Sequence, residues 1–267
     1  MKLLRNANAG LFVTIIAMVV FIAAGQLSAG QDIAMDNDDI SGVVIGPNGP
    51  EAGVWIIAET DEFDSLYRKI VVTDDEGRYL LPDLPAAQYS VWIRGYGLTD
   101  SPKVSGTPGQ SLNLTAVIAN TPIDAAEVYP ANYWYSLMQV PDKSEFPGTG
   151  GDGNGIAPGV RTQAHWIDLL KQGCQLCHQL GNLATREIPN PQDFDSTEAA
   201  WAHRIVTGQR ASNMSGTLGR FGRERAVAAY ADWTDRITAG EVPEQPPRPE
   251  GRERDIVLTM WEWGGET

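Results

Sequence analysis

Two cysteines two residues apart, followed at once by a histidine, constrain this chain more than any other stretch: Cys174-Gln175-Leu176-Cys177-His178. The spacing brings both sulfurs to one side of a turn, with an imidazole beside them. Thiols so placed can form thioethers with the two vinyl groups of one haem, and the imidazole can then take the iron as its proximal ligand. The pattern is the attachment signature of a c-type haem. These are the only two cysteines among the 267 residues, so no other thiol competes for them. The rival readings of the same residues are a structural disulfide and a thioredoxin-like redox pair.

Compartment bears on that choice, because covalent haem attachment in bacteria is performed outside the cytoplasm. Lys2 and Arg5 form a positive start, Leu11 to Ala24 is an unbroken run of apolar and small residues, and Gln26-Leu27-Ser28-Ala29 offers small residues for cleavage after Ala29. That is the layout of a secretory signal peptide, and its core is short for a membrane span of about 20 residues. No cysteine stands at the cleavage site, which excludes a lipoprotein. The expectation is a periplasmic or secreted protein with no stable membrane span once the signal is removed.

The formal charge of −14 becomes −16 without Lys2 and Arg5, which argues against a nucleic-acid partner. The acidity is uneven. Residues 40–120 carry ten acids against five bases, whereas residues 160–240 carry eight acids against nine bases. The surroundings of the cysteine motif are therefore near neutral, and their bases are almost all arginine.

Residues 40–120 read as short strands separated by turn signals. Ile40 to Ile45 runs into Gly46-Pro47-Asn48-Gly49-Pro50, a strong turn cluster. Val54 to Ala58, Lys69 to Thr73, Tyr79 to Leu81, Tyr89 to Arg94 and Leu112 to Ile118 follow, rich in β-branched and aromatic residues. That is the rhythm of a β-sandwich. The segments Ser41-Gly42-Val43-Val44, Gly53-Val54, Thr73-Asp74-Asp75-Glu76-Gly77-Arg78-Tyr79 and Leu84-Pro85-Ala86-Ala87-Gln88-Tyr89 resemble the carboxypeptidase regulatory-like domain. The family usually has glycine where Gln88 stands. The resemblance implies a transthyretin-like sandwich attached to something else, and it implies little about activity, although some members bind carbohydrate. Asp74, Asp75 and Glu76 read either as a calcium site or as an exposed turn.

Residues 121–160 form a linker that holds the aromatic segment Tyr129 to Tyr135 and the Gly- and Pro-rich stretch Pro147 to Gly159. The aromatic segment would pack over a junction or cover one haem face. Beyond it, Trp166, Leu169 and Leu170 follow the i, i+3, i+4 pattern of a helix over Thr162 to Gly173, which leads into Cys174. Ser196 is placed to cap a second helix running to about Val206, and Arg223 to Ile237 reads as a third.

A helix closed by the attachment motif, a short second helix and a longer last one together resemble a small class I cytochrome c. That family holds a distal methionine on an irregular loop before its last helix. Met214 is placed like that, and a thioether ligand raises the reduction potential of the iron. The loop lacks the proline and glycine framing common there, which leaves His203 open as an alternative sixth ligand. His165, Met138 and Met260 are weaker candidates, and the sixth position could be vacant. Arg186, Arg204, Arg210 and Arg220 are candidates to pair with haem propionates, because a guanidinium meets a carboxylate in bidentate fashion.

After Pro249, Arg254 to Gly264 reads as a strand that must find a partner. The overall order loosely resembles the N-terminal half of longer exported proteins that continue into a β-propeller. The chain therefore reads as a signal peptide (1–29), a regulatory-like sandwich (38–120), the linker (121–160), a cytochrome c-like domain (161–243) and a C-terminal tail (244–267). The expected fold is multidomain, an all-β sandwich followed by an all-α haem domain. The expected function is a monohaem c-type cytochrome, holding one covalent haem c on Cys174, Cys177 and His178 with Met214 as the distal ligand. It would carry single electrons to or from an exported dehydrogenase, cytochrome or propeller-type subunit, more as a carrier than as an enzyme. The alternatives are a haem subunit of an oxidoreductase with an open iron site, and a carbohydrate or cell-wall binding module with an auxiliary haem.

Overall fold

Along Leu66–Val72 buried positions alternate with half-exposed ones, as a strand with one face on a core requires. Tyr67, Lys69 and Val71 point inward. Lys69 tolerates this because its Nζ donates to the carbonyls of Pro82 at 2.6 Å and Asp83 at 3.2 Å. The computed structural model describes residues 33–262, so the signal-peptide reading and the last residues of the C-terminal run lie outside the described residues.

The Leu66–Val72 strand belongs to an all-antiparallel sheet of five strands in the order Leu258–Glu262, Leu66–Val72, Trp55–Thr60, Tyr89–Arg94 and Val104–Gly106. A second sheet is built around Ile40–Gly46, which pairs antiparallel with Arg78–Leu81 and parallel with Gln110–Ser111 and Leu114–Thr115. Ile40, Val44, Tyr79 and Leu81 from the second sheet meet Ile56, Tyr67, Val91 and Ile93 from the first in one apolar core. The Asp74–Gly77 segment is a hairpin turn in which Gly77 takes φ +71°. Asp74 accepts from the backbone of Glu76 and Arg78 and from the Arg78 guanidinium, so its oxygens are engaged within the turn.

Among the described residues seven α-helices follow: α1 Pro122–Ala126, α2 Ala131–Ser136, α3 Gln163–Cys174, α4 Leu183–Arg186, α5 Thr197–Arg204, α6 Ala211–Phe221 and α7 Arg223–Thr238. The aromatic segment is thus helical and packs at the junction of sheet and helices. Tyr129 and Trp134 share a cluster with Tyr96 of the sheet region and Ile237 of α7. The Tyr96 and Tyr129 rings meet edge-on at 5.5 Å. A second large core gathers Trp166, Leu170, Phe221, Val227 and Trp233 from α3, α6 and α7.

The expected fold class does not hold. The described residues are mixed, about 32% helix and 21% strand, with several sheets, and their helices are short rather than a clear all-α C-terminal haem domain. The C-terminal strand supplies the physical reason. Leu258–Glu262 pairs with Leu66–Val72 across five registered residues, so the chain returns to its first sheet after the helices. From Ile33 onward it forms one compact unit. Among the described residues no helix is long and apolar enough to cross a membrane.

Candidate functional site

The cysteine motif is placed by α3. Thr162 caps that helix, its hydroxyl accepting from His165 N at 3.1 Å. Trp166 and Leu170 anchor its inner face, with Trp166 edge-on to Phe221 at 5.3 Å. Cys174 is the last residue of α3, and the chain then folds back over the helix end. Cys177 N and His178 N both donate to the Cys174 carbonyl, at 3.4 and 3.3 Å. One turn therefore holds both sulfurs and the imidazole.

The loop after the motif is fixed by a close approach. Gly181 has φ +101°, and a Cβ there would lie 1.8 Å from the Ala131 carbonyl oxygen of α2. Its N–H donates to Thr185 Oγ1 at 2.8 Å, and Arg186 Nη1 donates to its carbonyl at 2.8 Å. Arg186 also stacks on Trp134, its guanidinium carbon 3.9 Å from the ring centroid.

Cys174, Cys177 and His178 line one pocket together with Met214. The cavity between them measures about 120 Å³ and opens to solvent. Leu180, Trp201, Ile205 and Leu218 supply an apolar lining, and Asn213, Thr217 and Tyr230 add polar atoms. Met214 sits in the first part of α6 rather than on an irregular loop, because the chain is already helical from Ala211 and Met214 N donates to Arg210 O at 3.0 Å.

The rival sixth ligands are not brought to this pocket. His203 packs against Phe194, with ring centroids 5.2 Å apart, and its Nε2 lies 3.2 Å from Thr207 Oγ1. His165 is exposed on α3, Met138 is buried in the helical core without lining the pocket, and Met260 lies on the edge strand of the sheet. Of the four arginines, Arg204 and Arg210 line the pocket, and Arg186 and Arg220 do not. Arg204 spends its fork on main-chain carbonyls, those of Glu187 at 2.6 Å and Ala184. Arg210 is exposed and, among the described residues, has no ion pair, which leaves its guanidinium available to an anionic group.

The sequence reading missed the polar partner of the first cysteine. Tyr230 Oη lies 3.0 Å from Cys174 Sγ. Burial pushes the Cys174 thiol up and holds the Tyr230 phenol well above its ordinary value. Helical periodicity over Arg223 to Ile237 does not say where the Tyr230 hydroxyl ends.

Comparison with known proteins adds no family. No family model matches the chain, and no curated protein matches it. Among solved structures, the TIE protein of Bacillus anthracis is similar at 19% identity over 31% of this chain, with a TM-score of 0.24. N-terminal and C-terminal interface mutants of a type II cohesin–X-dockerin complex from Acetivibrio cellulolyticus are similar at 19% and 14% identity. They cover 33% and 40% of this chain, each with a TM-score of 0.25. The chain spans 16% of the first of these structures, 62% of the second and 76% of the third. Likenesses this weak carry neither fold nor function.

Proposed function

We propose that this protein is an exported c-type cytochrome that holds one covalent haem and carries single electrons to or from another exported redox protein. The observation that carries the reading is the convergence of Cys174, Cys177, His178 and Met214 on one largely apolar pocket. The donor set fits the group: two thiols for two thioethers, an imidazole nitrogen and a thioether sulfur for iron, and an apolar lining to keep water away. When bound, a haem would supply an iron that takes up and returns one electron.

The chain's own residues would do the rest. Cys174 and Cys177 tether, and His178 binds from the same turn. Met214 would offer a soft sulfur from α6, and Arg210 would be available to an anionic group. Leu180, Ile205 and Leu218 exclude water, which holds the surroundings fixed between oxidation states. The reading is of a carrier.

Mass spectrometry of the chain exported by a host competent in haem attachment tests this directly. The expected result is a gain of one haem, and a loss of only two hydrogens would replace the reading with a disulfide. In the oxidised holoprotein, Met214→Ala should abolish the long-wavelength absorption band of a His/Met-ligated iron. If the unsubstituted protein has no such band, Met214 is not the sixth ligand.

A further inference from the structure

The two cysteines of the motif are not equivalent in this fold. Cys177 is exposed on the turn, whereas Cys174 is half-buried at the end of α3. Tyr230, whose side chain reaches Cys174 Sγ at 3.0 Å, is held from both sides. Its ring packs against Trp201 at 4.6 Å and Trp233 at 6.1 Å between centroids. Those neighbours are themselves pinned, since Trp201 Nε1 donates to Thr234 Oγ1 at 3.0 Å and Trp233 Nε1 donates to Trp134 O at 3.0 Å. The phenol oxygen therefore occupies a fixed point at the pocket wall, and a sulfur bonded to it occupies one rotamer. Cys177 has no comparable side-chain partner among the described residues.

From this geometry we infer that Tyr230 is a positioning residue, holding the Cys174 sulfur toward the pocket so that this buried thiol, and not only the exposed one, is attached. The inference rests on the haem reading above. In thioether formation each sulfur bonds to one carbon of an alkene, and the thiol proton passes to the neighbouring carbon. The double bond is consumed, and no oxidant or reductant is needed. Position is then what separates the two cysteines, because each must present its sulfur to a separate alkene at one time. Once Cys174 has lost its proton, the Tyr230 hydroxyl is the donor to its sulfur.

Tyr230→Phe keeps the ring and its stacking and removes only the hydroxyl. In exported full-length protein, the fraction of chains attached through Cys177 alone should rise several-fold. It is read as a free thiol at Cys174 by peptide mass and as the reduced pyridine spectrum of a singly linked haem. Trp233→Phe loosens the same packing and retains the hydroxyl. It should lower the melting temperature and shift the ratio of the two linkages less than Tyr230→Phe does. An unchanged linkage ratio in Tyr230→Phe, or an equal shift in Trp233→Phe, overturns the inference and makes Tyr230 a packing residue. A haem-free chain keeps the two ideas apart. If the unsubstituted protein gains no haem, the proposed function fails. Maleimide labelling of the native chain then still reads Tyr230, with Cys174 labelling faster in Tyr230→Phe and Cys177 unchanged; no change there also overturns it.

Discussion

The sheet core and the helical core use the same device for different ends. In the sheets, buried tyrosines turn their hydroxyls onto main-chain carbonyls: Tyr79 donates to Leu112 O at 2.7 Å and Tyr89 to Pro85 O at 2.8 Å. Each bond closes a polar group inside the scaffold and leaves nothing over. In the helices, the buried Tyr230 turns its hydroxyl to a cysteine sulfur on a pocket wall. The difference extends to unpaired donors. Trp134 Nε1, Trp166 Nε1, Arg186 Nε and Arg225 Nε are buried without acceptors in the helical half, and Trp92 Nε1 is their counterpart in the sheets. Buried polar atoms ordinarily have partners, and the helical half holds more of the exceptions. The sheet half is therefore expected to be the more resistant to local opening.

Four measurements sharpen or break that contrast. The largest effect belongs to Phe221→Ala, which empties the centre of the helical core beneath α3. Its expected cost is about 3–5 kcal/mol in denaturant titration. A cost below about 1 kcal/mol would mean that the helical core is not packed as described.

Tyr79→Phe comes next, at about 1–2 kcal/mol, because the half-buried Leu112 carbonyl loses its donor. The same residue sets a pH dependence. Burial raises the folded Tyr79 and Tyr89 phenols above their ordinary value of about 10. The unfolded chain ionises there first and the folded chain stays protonated. The stability they contribute is therefore full below about pH 10 and is lost as pH rises toward their folded values. Urea midpoints between pH 8 and 11.5 should show this fall, reduced in Tyr79→Phe. A flat profile would remove the phenols from the sheet core's account. The smallest effect is that of Glu262→Gln at the edge strand. Its bond to Arg68 spans 3.4 Å between part-exposed groups, so the melting curve should move by less than about 1 kcal/mol.

Much of this was legible in the residues. β-branched and aromatic runs between turns marked the longer strands to within a few residues but not Val104–Gly106, Ser196 announced its helix as a capping residue, and Trp166 and Leu170 marked the buried face of α3. The cysteine motif and Met214 were singled out before they were known to line one pocket. Other features depended on contacts that a linear pattern does not carry. The mixed fold turns on Leu258–Glu262 finding Leu66–Val72, a pairing almost two hundred residues apart that neither segment specifies. The helical character of Met214 was hidden because Ser212, Asn213, Ser215 and Gly216 are residues that favour turns. The Tyr230 contact required knowing which stretch of α7 crosses the end of α3.

The edge position of Leu258–Glu262 also determines how the molecule would carry a load. A pull applied beyond Glu262 acts first on that strand's ladder, at the Glu262–Leu66 end. It would be peeled from Leu66–Val72 one pair at a time, a low-force route compared with shearing a whole strand at once. The strand would give way while the tension was still small, and α3, α6 and α7 would not yet have felt it. The pocket thus lies off the load path, behind a mechanical fuse made of five residues.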